Sequence, residues 1–272
     1  MLPQSVAASC EFLDSGGEPV RVCVVQFDTR YGAFENELVS QNVQYARGAG
    51  YSHEFVTHVE PPLPPYWGKV LACLNAAESG LYDAVLFLDT DAAVMNFEFR
   101  VESLFSDEAI FVASGANEGA KNAGVFAFRC PEALELMNDW MDLFVPSRWT
   151  VGGDGKWSCD GEWAGEDYEQ GAMNKLLSLP KYASRVKDGG WRSFMHCDHH
   201  RIDGNALCVR DFQSFVAAMR EADIVHFCRA YSSLIPHRWT ARDGRLVLFD
   251  QHASDVGVEM AKAIGLCHEV PQ

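Results

Sequence analysis

The sequence has nine cysteines but no pair at the Cys-x-x-Cys spacing that marks a zinc ribbon or a dithiol redox centre. They stand at 10, 23, 73, 130, 159, 197, 208, 228 and 267, an odd set, with Cys23 inside an apolar run and Cys228 beside Phe227. Such thiols read as reduced and partly buried, which argues against a disulfide framework and for a reducing compartment. Long apolar runs are also lacking: no stretch approaches the ~20 residues of a membrane span. Met1 to Ser15 has no basic segment followed by an apolar one, so a secretory leader is not expected there. Basic residues are scarce as well. There are 22 Lys and Arg against 38 Asp and Glu, a formal net charge of −16. A surface this acidic repels nucleic-acid phosphate and argues against DNA or RNA partners. An anionic ligand would need local compensation, most simply from a bound divalent cation. The cytoplasm is the expected location. A Golgi-luminal catalytic domain trimmed of its anchor would look the same, and nothing speaks to oligomeric state.

With 272 residues and 48% hydrophobic composition, the chain can bury a sizeable core without a structural metal. Val20–Phe27 is a continuous apolar run ended by Asp28, the profile of a buried parallel strand. Phe34–Arg47 has helical spacing and is stopped by Gly48 and Gly50. His53–Thr57 reads as a second strand, 60–65 as a stiff Pro-rich connector, and Tyr66–Ser79 as a helix closed by Gly80. Ala84–Leu88 is the clearest strand. The β-α-β-α-β order predicts a parallel sheet with covering helices, whose ligands sit beyond the carboxyl ends of the strands. Asp28 and Asp89 lie at such ends. Ile110–Ala113 and Gly124–Phe128 are further predicted strands, Pro131–Phe144 a helix with Pro in its first turn, 146–164 a Gly- and Trp-rich loop, Glu169–Leu177 a short helix, and Ile224–Phe227 a late strand. A single domain is the simplest description: a leader over 1–19, then one unit over 20–272.

Asp89 and Asp91, two apart in an extended segment, project to one side and can reach one hard cation. An acid-x-acid triplet is common in solvated loops, but here it is delivered by a buried strand. Further stretches accompany it: Val24 to Gly32, Asn42 to Ala46 with Gly50-Tyr51, Pro65-Tyr66-Trp67-Gly68-Lys69-Val70, Tyr82 to Asn96 around Asp89-Thr90-Asp91, Asn122 to Arg129, Glu169-Gln170-x-Ala172, and Val225-His226-Phe227. In their residues, and in their order between about 20 and 230, these stretches resemble glycosyltransferase family 34.

The resemblance implies an α/β fold of the GT-A type, Rossmann-like, with a mostly parallel sheet flanked by helices. It implies a nucleotide-sugar half over about 20–115 and an acceptor and catalytic half over about 116–240. It also implies a metal-dependent, retaining transfer of a hexose or pentose from a UDP- or GDP-sugar to a glycan acceptor. Asp89, Asp91 and His226 would hold Mn²⁺ or Mg²⁺, imidazole favouring manganese; the alternative for His226 is a core-edge histidine. Gln26, Phe27, Asp28 and Arg30 would face the nucleotide, with Thr90, Asn122 and Gly124 completing the donor side. Lys69 and Arg229 are the candidates to neutralise the leaving diphosphate, although the family's basic residue falls further on, where this chain has Tyr231. Gln170 would stabilise the transition state and Glu169 would orient a sugar, unless both merely cap the following helix. His196-Cys197-Asp198-His199-His200 with Cys208 fits no family motif and reads as a polar loop before a zinc site. The tryptophans 149, 157, 163 and 191 belong either to the core or to sugar-stacking surfaces. Two other classes compete: a haloacid-dehalogenase-like phosphatase with Asp89 as nucleophile, and a non-catalytic nucleotide-sugar-binding module. The two β-α units before Asp89 speak against the first, and Gln170 against the second.

Overall fold

Val22–Phe27 (β1) is buried along its whole length, as expected of a strand with apolar residues on both faces. It is followed by Glu37–Ala49 (α1), Ser52–Val56 (β2), Pro65–Glu78 (α2) and Ala84–Leu88 (β3). In this computed structural model, residues 19–30, 33, 37–106, 108–115, 120–196, 220–226, 239–242 and 245–248 are described. The strand over 84–88 and the later helix over 169–177 coincide with the ranges expected from the sequence. β1 starts two residues later than expected, because the Arg21 amide and guanidinium turn aside to the Asp83 carboxylate, at 2.8 and 2.6 Å.

Beyond β3 the chain forms Ala92–Val94 (β4), Phe111–Ala113 (β5) and Val125–Arg129 (β6), then Leu134–Met141 (α3). The expected helix from Pro131 begins three residues late, since 131–133 form a turn in which the Leu134 amide donates to the Pro131 carbonyl at 3.0 Å. The expected loop over 146–164 instead contains a hairpin, Trp149–Val151 (β7) against Trp157–Cys159 (β8). Its turn closes through the Gly152 amide on the Lys156 carbonyl at 2.8 Å, with Gly155 at φ 76°. That positive φ is a conformation suited to glycine. Then come Glu169–Leu177 (α4), Pro180–Ala183 (α5), Val186–Asp188 (β9), Gly190–Ser193 (α6), Phe194–His196 (β10) and Ile224–His226 (β11). The backbones of Trp239–Arg242 (β12) and Arg245–Leu248 (β13) pair as an antiparallel ribbon.

The main sheet has the order β2-β1-β3-β6-β5-β9, with β6 antiparallel to both its neighbours and the other pairings parallel. Side chains alternate between its faces with the period of two that a strand imposes. Cys23, Val25 and Phe27 of β1, with Val85 and Phe87 of β3, join the core beneath α2, α3 and α4. Val22, Val24, Ala84, Leu86 and Leu88 join the opposite core with Tyr45 and Ala46 of α1. Phe87, Phe126 and Phe111 stack across three strands with centroids 5.0 and 5.6 Å apart. Each such buried ring contributes about 1.5–3 kcal/mol. A second, three-stranded sheet runs β10-β11-β4. It brings residues 194–196 and 224–226 back beside the segment that leaves β3.

Candidate functional site

The carboxyl ends of β1 and β3, the amino end of antiparallel β6 and the amino end of α4 meet at one edge of the main sheet. Asp89 continues the β3–β6 ladder, its amide donating to the Gly124 carbonyl at 2.7 Å. β4 then turns off into the second sheet, where Ala92 lies opposite His226. That register places the imidazole beside the residue after Asp91. Nε2 of His226 is 3.1 Å from Asp91 Oδ1 and 3.8 Å from Asp89 Oδ2. Asp89, Asp91 and His226 each offer one ligand atom, all within 4.8 Å of one another. His226 is buried, while half of the Asp91 side chain remains open to solvent.

The cradle is shaped for this. A Cβ on Gly124 would stand 2.0 Å from His226 Cε1 and 2.7 Å from Asp89 Oδ2, so only glycine leaves room for both groups. Asn122 shapes the same turn, its carboxamide oxygen accepting from the Gly124 amide at 2.7 Å. Two carboxylates and an imidazole, partly open to solvent, are a donor set that could hold a divalent cation. Buried Asn42 on α1 fixes the strand behind the triplet: it donates to the Ala92 carbonyl and accepts from the Val94 amide, both at 2.9 Å. Sequence reasoning gave Asn42 no role, and a polar residue on the apolar face of a predicted helix was the available signal.

Lys69 lies beneath the acidic pair. Its ammonium is 3.2 Å from Asp89 Oδ1, 3.0 Å from Glu169 Oε1 and 3.1 Å from the Ala123 carbonyl. Burial works against this charge, but Asp89 and Glu169 outweigh it and hold the group above the usual lysine range. For Glu169, burial raises the carboxyl and Lys69 offsets this only in part. For Asp91, loss of solvent on its inner side would raise the carboxyl, but the adjacent His226 keeps it below its ordinary range.

At the end of β1, Gln26 is fully buried, 3.5 Å from the Asp89 carbonyl and 3.0 Å from the His53 ring. Asp28 accepts from Arg30 Nε at 2.9 Å and from the Thr90 hydroxyl at 2.7 Å. Burial would raise its pKa, but Arg30 and Thr90 together hold it low. Asp28, Arg30 and Thr90 thus form one hydrogen-bonded group linking β1 to the acidic triplet. Phe27 points the other way, into the core under α2; a Cβ on Gly68 would lie 2.5 Å from its ring.

Glu169 lies in the first turn of α4, where the Gln170 backbone amide also acts on its carboxylate. The same carboxylate faces Lys69, and the Gln170 carboxamide oxygen accepts from the Ala123 amide at 3.0 Å. Both therefore adjoin the Gly124 cradle. Trp149 and Trp163 cluster with Tyr66 and Tyr168 at centroid distances of 5.0 to 6.0 Å, with Trp163 60% exposed. His196, expected in a polar loop, is a fully buried strand residue whose ring stands against His226. Arg229, Phe227, Tyr31, Gly32, Cys197 to His200 and Cys208 lie outside the described residues, as do 1–18 of the expected leader. Among the described residues, no helix is long and apolar enough to cross a membrane.

No family model matches the chain. Over 100 residues, 34% of this chain and 30% of the relative, it is 30% identical to a probable alpha-1,2-galactosyltransferase of Schizosaccharomyces pombe. The match thus spans less than a third of that relative. The fold superposes with a TM-score of 0.56 and 15% identity on a glycosyltransferase involved in glycosylation of the major capsid of PBCV-1, over 78% of this chain and 96% of that one. The likeness is one of fold, and it bears out the expected GT-A architecture with its mostly parallel central sheet.

Proposed function

We propose that the chain is a metal-dependent, retaining glycosyltransferase that moves a hexose or pentose from a nucleoside-diphosphate sugar, UDP favoured over GDP, to a hydroxyl of a glycan acceptor. The observation that carries this reading is the convergence of Asp89, Asp91 and His226 around Gly124 at the carboxyl edge of the sheet. The similarity to a galactosyltransferase and the shared glycosyltransferase fold support it.

A divalent cation held by Asp89, Asp91 and His226 would neutralise diphosphate charge on an otherwise acidic protein. The Asp28–Arg30–Thr90 group and Gln26 would receive the nucleotide. Lys69, engaged by Asp89 and Glu169, orients both carboxylates while lending positive charge to the floor of the site. The Gln170 carboxamide is a poor nucleophile, so it would act by stabilising positive charge at the anomeric carbon. On that account the bond from anomeric carbon to diphosphate breaks, the acceptor oxygen bonds on the same face, and the acceptor proton leaves with a diphosphate oxygen.

The test is to incubate the protein with UDP- and GDP-sugars, with and without Mn²⁺ and candidate sugar acceptors, and to follow nucleoside diphosphate release. Release that requires both cation and acceptor is expected. Cation-stimulated release of phosphate from aryl phosphates, with none from any sugar nucleotide, would replace this reading with the phosphatase.

A further inference from the structure

Phe194-Met195-His196 and Ile224-Val225-His226 are matching apolar-apolar-His tripeptides, and they pair in parallel register with His196 beside His226. Paired residues on adjacent strands project to the same face. The two rings accordingly meet edge to face at 79°, with Nδ1 of one 3.0 Å from Nδ1 of the other. His196 is fully buried, with the Ser114 backbone acting on its ring, and among the described residues its Nε2 has no hydrogen-bond partner. A buried polar atom without a partner is costly, and an apolar ring would fill this space without that cost. What an apolar ring could not supply is the contact at Nδ1.

A hydrogen bond between two ring nitrogens needs one proton, so one histidine donates and the other accepts. His226 turns Nε2 towards Asp91 and Asp89. A neutral imidazole that offers the Nε2 lone pair to a cation carries its proton on Nδ1, and that atom faces His196. We propose that His196 is a positioning residue for the cation site. Its Nδ1 accepts from His226 Nδ1–H and thereby fixes His226 in the tautomer with a free Nε2, as the outer partners of metal-bound histidines do. In the cation-free protein the pair reverses: Nε2–H of His226 donates to Asp91, and His196 donates from Nδ1. Each ring keeps one proton in both states, so the change is an exchange of tautomers. The proposal rests on the cation reading of Asp89, Asp91 and His226.

The test uses the full chain, its His196→Phe variant, which keeps a buried ring without the acceptor, and its His196→Asn variant, which restores an oxygen near the place of Nδ1. Mn²⁺ affinity is measured by electron paramagnetic resonance, and the tautomer of His226 by long-range proton–nitrogen correlation spectra without and with Mg²⁺. The phenylalanine variant is expected to bind Mn²⁺ on the order of 10–100-fold more weakly, and the asparagine variant within a few-fold of wild type. In the wild type, Mg²⁺ should move the His226 proton from Nε2 to Nδ1. Equal weakening in both variants would reduce His196 to packing and overturn the proposal. So would wild-type affinity in His196→Phe, or a His226 that keeps its proton on Nε2 when loaded. The last result is read on the wild type alone and stands even if a variant fails to fold. A wild-type chain that binds no Mn²⁺ would remove the cation reading itself, and the positioning role with it.

Discussion

Replacing Gly124 by alanine tests the geometry of the site with one added carbon. That carbon would lie 2.0 Å from His226 Cε1, 2.6 Å from Nε2 and 2.7 Å from Asp89 Oδ2. Carbon contacts settle near 3.5–4.0 Å, so the imidazole has to retreat by roughly 1.5 Å. It has little room to do so, since it is 5% exposed and backed by His196. Overpacking of this kind costs about 1–3 kcal/mol, and displacing the ring also removes a ligand from the cation. Gly124→Ala should therefore show a lower urea midpoint and a Mn²⁺ affinity weakened on the order of 10–100-fold. Gly48→Ala is the control: the residue is exposed on α1, has nothing within 4 Å of its new methyl group, and should gain about 0.5–1 kcal/mol. Wild-type stability and wild-type Mn²⁺ binding in Gly124→Ala would refute the cradle.

Lys69→Met strands Glu169 and Asp89 around an apolar side chain and should cost about 3–5 kcal/mol, the range for breaking a buried pair. Adding Glu169→Gln should recover part of that loss in the same denaturation assay; a double variant no more stable than the single one would mean that the contact with Glu169 is dispensable. Burial pushes Cys23 and Cys130 from the ordinary 9.0 up to about 12. At pH 9 the folded chain should thus carry roughly a thousandth of each as thiolate, and iodoacetamide should label both sites only after unfolding. The folded state keeps these protons while the unfolded state releases them from pH 9.0 upward, so stability should decline between pH 9 and about 12. A urea midpoint that rises from pH 8.5 to pH 10.5 would contradict this.

Much of the sheet was legible because β1 and β3 are short, mostly apolar runs ended by aspartate, a pattern local to the chain. β4, β9, β10 and β11 are three-residue strands, too short to display a period, and they exist through pairing with distant partners. Of these four only β11 was anticipated, from the apolar run Ile224–Phe227. The β7–β8 hairpin did carry a local signal, Gly152-Gly153-Asp154-Gly155 between two short β-prone runs, which the tryptophan content obscured. At the site, Asp89 and Asp91 were readable because strand and motif coincide. His196 was not, because its partner is 30 residues away and its polar sequence neighbours masked a buried strand.

The central claim is that Asp89, Asp91 and His226 form one cation site that serves a nucleoside diphosphate. Its most direct test is a Mn²⁺ titration with and without UDP, followed by electron paramagnetic resonance on the wild type and on Asp91→Asn. The account predicts one tightly bound ion per wild-type chain, held more tightly with UDP, and loss of that ion in the variant. Equal Mn²⁺ binding by the two proteins, with no effect of UDP or GDP, would contradict it.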